Sequence, residues 1–271
     1  MSVPRKVLES QNARLLRLGM NVLKATVKRI GGMRVLLRHH PWTSARKTDL
    51  RWLPVNADIQ MPENVPMPLT LLDQLIDEAS HRVIYDFCTC RKAFNCRDHR
   101  EEFGCLLMGD DALDSPASLS HEVGVEEAKE HARRAIDAGL VPLVGKARID
   151  NSFTGIKDRG RLLTACFCCD CCCVARNTRY LHREILEPMF PRLDGISIEV
   201  TEICTGCQTC ADHCFIQAIQ VIEGRAVIGE YCRACGRCAT VCPNQAIRVG
   251  IDDPGFLEKS YQRIRAYVKF D

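Results

Sequence analysis

Eighteen cysteines in 271 residues constrain this chain more than any other feature, because most of them fall in runs of fixed spacing. Eight form a duplicated unit, Cys204-x2-Cys207-x2-Cys210-x3-Cys214 and then Cys232-x2-Cys235-x2-Cys238-x3-Cys242-Pro243, with Cys204 to Ile219 repeated at an offset of 28 by Cys232 to Ile247. The other ten lie between Cys88 and Cys173. A composition of 46% hydrophobic and 26% charged residues is that of a soluble globular protein, not a disordered one. No run reaches the roughly 18 apolar residues that span a bilayer, and the N-terminal MSVPRKVLESQNARLLRLGM is broken by charge too often for a signal peptide. These features lead us to expect a reducing cytoplasm, where such cysteine spacings mean metal more often than disulfides.

Three thiolates at two-residue gaps can wrap three irons of one cubane, and geometry forces the fourth ligand to come from elsewhere. A pair of zinc sites fits poorly, since zinc favours isolated Cys pairs across a longer loop, often with His. The region resembles the bacterial-type two-[4Fe–4S] ferredoxin domain over about 50 residues. That resemblance implies one cluster on Cys204, Cys207, Cys210 and Cys242, and another on Cys232, Cys235, Cys238 and Cys214. Gly206 and Gly236 sit where backbone must approach the clusters closely, and Ala218-Ile219 and Ala246-Ile247 would keep water off them. Phe215 departs from the family, which has Pro there, and implies a changed cluster environment.

The central cysteines read Cys88-Thr89-Cys90-Arg91, Cys96, Cys105-Leu106-Leu107-Met108-Gly109, and Cys166-Phe167-Cys168-Cys169-Asp170-Cys171-Cys172-Cys173. Six thiols within eight residues cannot all point into one apolar core, and adjacent cysteines do not pair readily as disulfides. The order of segments resembles a group of iron–sulfur proteins of anaerobes with Cys-x-Cys-Arg, Cys-Leu-x-x-Gly and Cys-x-Cys-Cys-x-Cys-Cys-Cys before a ferredoxin domain, although the loop between Cys90 and Cys105 is short. The resemblance implies one or more further iron–sulfur clusters on Cys88, Cys90, Cys96, Cys105, Cys166, Cys168, Cys169, Cys171, Cys172 and Cys173. Two cubanes with two thiols over, one larger cluster, or one cubane with structural thiols all remain open. Arg91 is the candidate to hydrogen-bond to such a cluster or offset its charge. The strands ending near Phe87 and Ala165 are expected to lie side by side and bring the two cysteine groups to a shared site.

Charge divides the chain. Residues 1–51 hold twelve Lys or Arg against Glu9 and Asp49, a balance of +10 that leaves the remainder at −7 from the total of +3. Apolar residues recur at helical spacing over residues 5–38, with Gly31-Gly32 as a breaker and His40-Pro41-Trp42 ending the segment. A second helix is expected from a Thr70 cap to His81, a strand over 82–87, and a helix over Val125 to Ala138 closed by Gly139. Strands follow at 140–144 and 162–167, and a last helix at 254–269. Gly139 to Ala147 imitates a phosphate loop but lacks its spacing and hydroxyl, so it reads as turn and strand.

The expected architecture is α+β: a basic helical arm (1–53), a cysteine-rich central α/β domain (54–196), a ferredoxin-like two-cluster domain (197–250) and a C-terminal helix (251–271). The expected function is single-electron transfer between redox protein partners in anaerobic metabolism. An oxidoreductase with a substrate site at the central cysteines and a redox sensor are the alternatives. The arm could touch a membrane surface, dock an acidic protein, or pack back on the body; basic charge without interleaved aromatics argues against nucleic acid.

Overall fold

A computed structural model describes residues 12–33, 37, 48–54, 59–60, 68–147, 150–151, 154–253, 255–266 and 268. Along the chain come α1 (Ala13–Ile30), β1 (Thr48–Trp52), β2 (Ile59–Gln60), α2 (Pro68–Glu78), β3 (Arg82–Tyr85), α3 (Thr89–Phe94), β4 (Leu106–Met108) and β5 (Ser120–Glu122). Then follow α4 (Val125–Asp137), β6 (Val141–Ala147), β7 (Leu163–Cys168), a 3-10 segment (Val174–Tyr180), α5 (Arg183–Met189) and β8 (Ile196–Val200). The last elements are α6 (Thr209–Asp212), β9 (Ile219–Ile222), β10 (Arg225–Ile228), α7 (Arg237–Thr240), β11 (Ile247–Ile251) and α8 (Phe256–Arg265). The fold is α+β.

An antiparallel sheet in the order β1-β6-β7-β4-β3-β5 divides the body. The two-residue period of a strand decides which side chains go to which side. Leu163, Ala165 and Phe167 of β7, with Leu106 and Met108 of β4, pack against Leu71, Leu72 and Leu75 of α2 and the alanines of α4. Cys166 and Cys168, one step out of phase, join the opposite face with Leu143 of β6, Trp52 of β1 and Met189 of α5. On that face Val83, Tyr85 and Leu107 meet Leu16 and Met20 of α1.

The arm therefore packs back on the cysteine-bearing face over its described length. Leu16 and Met20 are buried, and Arg17 Nε donates to the Ala93 carbonyl at 2.8 Å. The helix starts at Ala13, where Asn12 accepts from the amides of Arg14 and Leu15, and ends at Gly31. Residues 1–11, 34–36 and 38–47, including His40-Pro41-Trp42, lie outside the described residues. Thr48–Trp52, counted with the arm from its charge, is an edge strand of the central sheet. Its Arg51 forms a buried two-bond pair with Asp49, at 2.8 and 3.0 Å.

Other boundaries differ for physical reasons. α2 begins at Pro68, not after a Thr70 cap: a proline suits the first turn because its missing N–H has no partner there. α4 ends at Asp137 with Gly139 at φ +81°, as the glycine signal implied. β7 runs on to Cys168, so two cysteines are delivered from within a strand. The strands ending at 85 and 168 are not neighbours, because β4 pairs with both and lies between them. The phosphate-loop imitation is strand β6, and Gly145 (φ +150°) lies so close to β1 that a Cβ would fall 1.9 Å from the Asp49 carbonyl oxygen.

A smaller sheet joins distant parts of the chain: β11 pairs antiparallel with β8 and parallel with β2. α8 covers α2 through buried Phe256, Tyr261 and Ile264, with Tyr261 donating to Glu78. The central sheet meets the C-terminal cysteine repeat at an aromatic stack, Trp52 lying against Phe190 (centroids 5.5 Å apart) and Phe215 (5.8 Å). Trp52→Ala should cost about 4 kcal/mol in anaerobic denaturant unfolding, the usual range for a buried large aromatic; Trp52→Phe should recover most of it.

Candidate metal centres

All eighteen cysteines are free thiols. In the C-terminal unit the duplication extends to the backbone. Three pairs of residues at the 28-residue offset share a left-handed conformation: Gly206 and Ala234 (φ +65° and +53°), Gln208 and Gly236 (+70° and +75°), and Gln217 and Gln245 (+57° and +52°). Non-glycine residues hold such angles at a cost of order 1 kcal/mol or more, so their repetition marks a backbone bent to a purpose. Gly206 and Gly236 thus occupy different positions of the repeat. At Gly206 a Cβ would sit 2.4 Å from the Gly224 carbonyl oxygen, which makes the missing side chain necessary.

The bends turn amides toward sulfur. Ala218 N donates to Cys214 Sγ at 3.3 Å, and its counterpart Ala246 N donates to Cys242 Sγ at 3.2 Å. Ala226 N reaches Cys204 Sγ at 3.4 Å, and Ala234 N reaches Cys232 Sγ at 3.3 Å. Cys204, Cys207, Cys210 and Cys242 line one small cavity, and Cys214, Cys232, Cys235 and Cys238 line another. Each set takes its fourth thiol from the other half of the repeat.

The two surroundings differ. The first cavity is bordered by Thr205, Gln208 and Asn244, and Cys207 is exposed, its thiol held below its ordinary pKa by Thr209. The second is bordered by Trp52, Arg233 and Arg237, and burial pushes the Cys235 thiol up to about 12. Trp52 Nε1 and Arg233 Nε and NH2 are buried there without a hydrogen-bond partner among the described residues. Such orphaned donors are costly in a finished protein. A cluster, whose sulfides and thiolates carry negative charge, supplies the acceptors they lack, so the residues fit the group.

The ten central thiols separate into two groups. Cys96, Cys169, Cys171 and Cys172 hold their Sγ atoms within 4.8 Å of one another, with Cys96–Cys171 and Cys169–Cys172 each at 3.3 Å. Cys88, Cys90, Cys105, Cys166, Cys168 and Cys173 line a separate cavity. Within it Cys105 lies 3.2 Å from Cys166, and the Cys88, Cys90, Cys168 and Cys173 thiols are close enough to shift one another's pKa. Cys88 and Cys90 enter at the start of α3, and Cys96 follows its left-handed end at Asn95 (φ +49°). Both groups thus combine the early and late cysteines, but as two places instead of the single shared one the sequence suggested.

Arg91 lies between them, 1% exposed. Its NH1 donates to the Phe167 carbonyl at 2.8 Å and NH2 to that of Phe103, leaving Nε without a partner among the described residues. Burial opposes its charge, but nearby Cys88, Cys169, Cys105 and Cys173 outweigh that and raise its pKa. Asp150 also lines the six-thiol cavity; burial lifts its carboxyl to about 7 against a bond with Thr164, and Oδ2 is buried without a partner among the described residues.

Asp170, inside the cysteine run, carries no motif in the sequence, and His213 beside Cys214 reads there as a surface residue or one behind a ligand, not as a ligand. Asp170 Oδ2 accepts from Arg237 Nε at 2.7 Å and lies 2.5 Å from His213 Nδ1. Arg237 stands between Cys235 and Cys238, and His213 precedes Cys214, so one carboxylate ties the central run to both halves of the second ferredoxin set. Burial works against the charged form, yet Arg237 and His213 pull the Asp170 pKa below its ordinary value. A polar residue embedded in a run of ligand-type residues was the available signal.

The 4Fe-4S binding domain family matches residues 226–248, the segment that carries Cys232, Cys235, Cys238 and Cys242. No curated protein and no solved structure matches the chain. The family match and the thiol groups define an iron–sulfur protein with at least one [4Fe–4S] cluster and support an electron-transfer role. Among the described residues, no helix is long and apolar enough to cross a membrane. Asp170→Asn should lower the unfolding free energy of the anaerobic holoprotein by about 3 kcal/mol, since it leaves Arg237 buried without its counter-charge; calorimetry at matched iron content checks this.

Proposed function

We propose that the chain is an electron-transfer protein with two ferredoxin clusters in crossed ligation and further iron–sulfur centres at the central thiols, working between redox partners in anaerobic metabolism in the cytoplasm. The observation that carries this reading is the Asp170 bridge, which fixes the four-thiol group (Cys96, Cys169, Cys171, Cys172) beside the set of Cys214, Cys232, Cys235 and Cys238. When bound, the clusters supply one-electron redox capacity. The protein supplies the thiolates, the amide N–H bonds to sulfur, and the exclusion of water.

The unequal surroundings give the relay a direction. Arg233, Arg237 and Trp52 stabilise the reduced, more negative state of the second set, whereas the first has neutral neighbours and an exposed thiol. The exposed set suits exchange with an outside partner, and the buried set suits holding the electron beside the central thiols. Lys24, Arg176 and Arg179 border an open cleft beside Cys171 and Cys172, which favours an acidic redox protein as a partner there.

Iron and acid-labile sulfide counting on anaerobically purified protein tests the reading: we expect more than eight irons, eight for the two cubanes and the rest central. Cys214→Ala should disturb the cluster of Cys232, Cys235 and Cys238 and spare the Cys204 set; the reverse would defeat crossed ligation. In redox titrations followed by electron paramagnetic resonance, Trp52→Phe and Arg233→Gln should each lower the potential of the second set by roughly 50 mV, about a tenfold change in its one-electron equilibrium, with the first set unmoved.

A further inference from the structure

The six-thiol group has both more ligands and more room than a cubane requires. A cubane takes four thiolates. The cavities beside the two ferredoxin sets measure about 10 and 20 Å³, whereas the one lined by the six thiols measures about 250 Å³. The central space exceeds the ferredoxin cavities more than tenfold.

Its walls show what the remainder suits. Cys166 and Cys168 of the sheet line it together with Leu23, Val27 and Ile30 of α1 and with Leu143, Met189 and Phe190. Among the described residues no Lys or Arg lines it, whereas Lys24, Arg176 and Arg179 border the open cleft beside Cys171. An apolar wall penalises any bare ion. An apolar cavity of about 150 Å³ stays dry and accepts benzene. Asp150, Thr26, Asn177 and Thr178 add a few hydrogen-bonding groups to a mostly apolar lining.

We propose that this chamber binds a small, uncharged, largely apolar molecule of about the size of benzene, held between α1 and metal on the six thiols. The proposal rests on the reading of the central thiols as a metal site, and it makes α1 the lid of a substrate-sized chamber. It favours the oxidoreductase alternative for this part of the molecule: a pure carrier has no need of free volume against its cluster.

Calorimetric titration of the anaerobic holoprotein with benzene, and with benzoate as the charged control, tests it. Saturable benzene binding without benzoate binding is expected. Leu23→Trp, which fills the chamber from α1, and Leu143→Phe, which fills it from the sheet, should each weaken benzene at least tenfold with iron content unchanged. Benzene should also alter the electron paramagnetic resonance signal of the iron beyond eight atoms. No benzene binding to the wild type, or binding indifferent to both variants, overturns the proposal. Binding that the variants abolish in a protein with only eight irons sustains the chamber but removes the central metal from the function proposed above. If Leu23→Trp does not fold, Leu143→Phe decides.

Discussion

A single buried carboxylate holds the functional parts of this molecule in register. Asp170 sits where the densest cysteine run leaves the sheet, and it engages one residue from each half of the C-terminal repeat. Four thiol groups could be built by four separate pieces of chain. Electron transfer requires them at short fixed distances, and apolar packing alone tolerates sliding. A charge pair with defined donors does not. Arg91 does a similar task on the other side of the run, fixing the Phe103 and Phe167 carbonyls while lending positive charge to thiols on both sides.

Local signals in the sequence carried far. The crossed grouping of the eight C-terminal cysteines is what the ferredoxin resemblance implies, and the two small cavities gather the thiols in the same sets. The helices that apolar period and breakers place at 5–38, 70–81 and 125–138 correspond to those at 13–30, 68–78 and 125–137. What could not be read was decided by contacts between distant segments. The ten central thiols divide into four and six because β7 sends Cys166 and Cys168 to one face while the turn after it carries Cys169, Cys171 and Cys172 toward Cys96. No local pattern contains that division.

The arm shows the same limit. Its charge made residues up to 53 look like one appendage, yet β1 within it completes the central sheet and brings Trp52 to the second ferredoxin cavity. The Phe215 departure from the ferredoxin pattern has its reason here, since the aromatic ring that replaces proline stacks on Trp52. A charge count sees side chains in water; it does not see that Asp49 and Arg51 neutralise one another in the interior.

The three-stranded sheet has an evolutionary consequence. Ferredoxin units are often regarded as cassettes that can be moved from one protein to another. Here β11 lies between β8 of the unit and β2 from nearly two hundred residues upstream. Excising the unit would bare a strand edge, a row of unpaired amides and carbonyls that invites pairing with other chains. This ferredoxin unit has given up portability. It can change its surroundings only together with the domain that it serves.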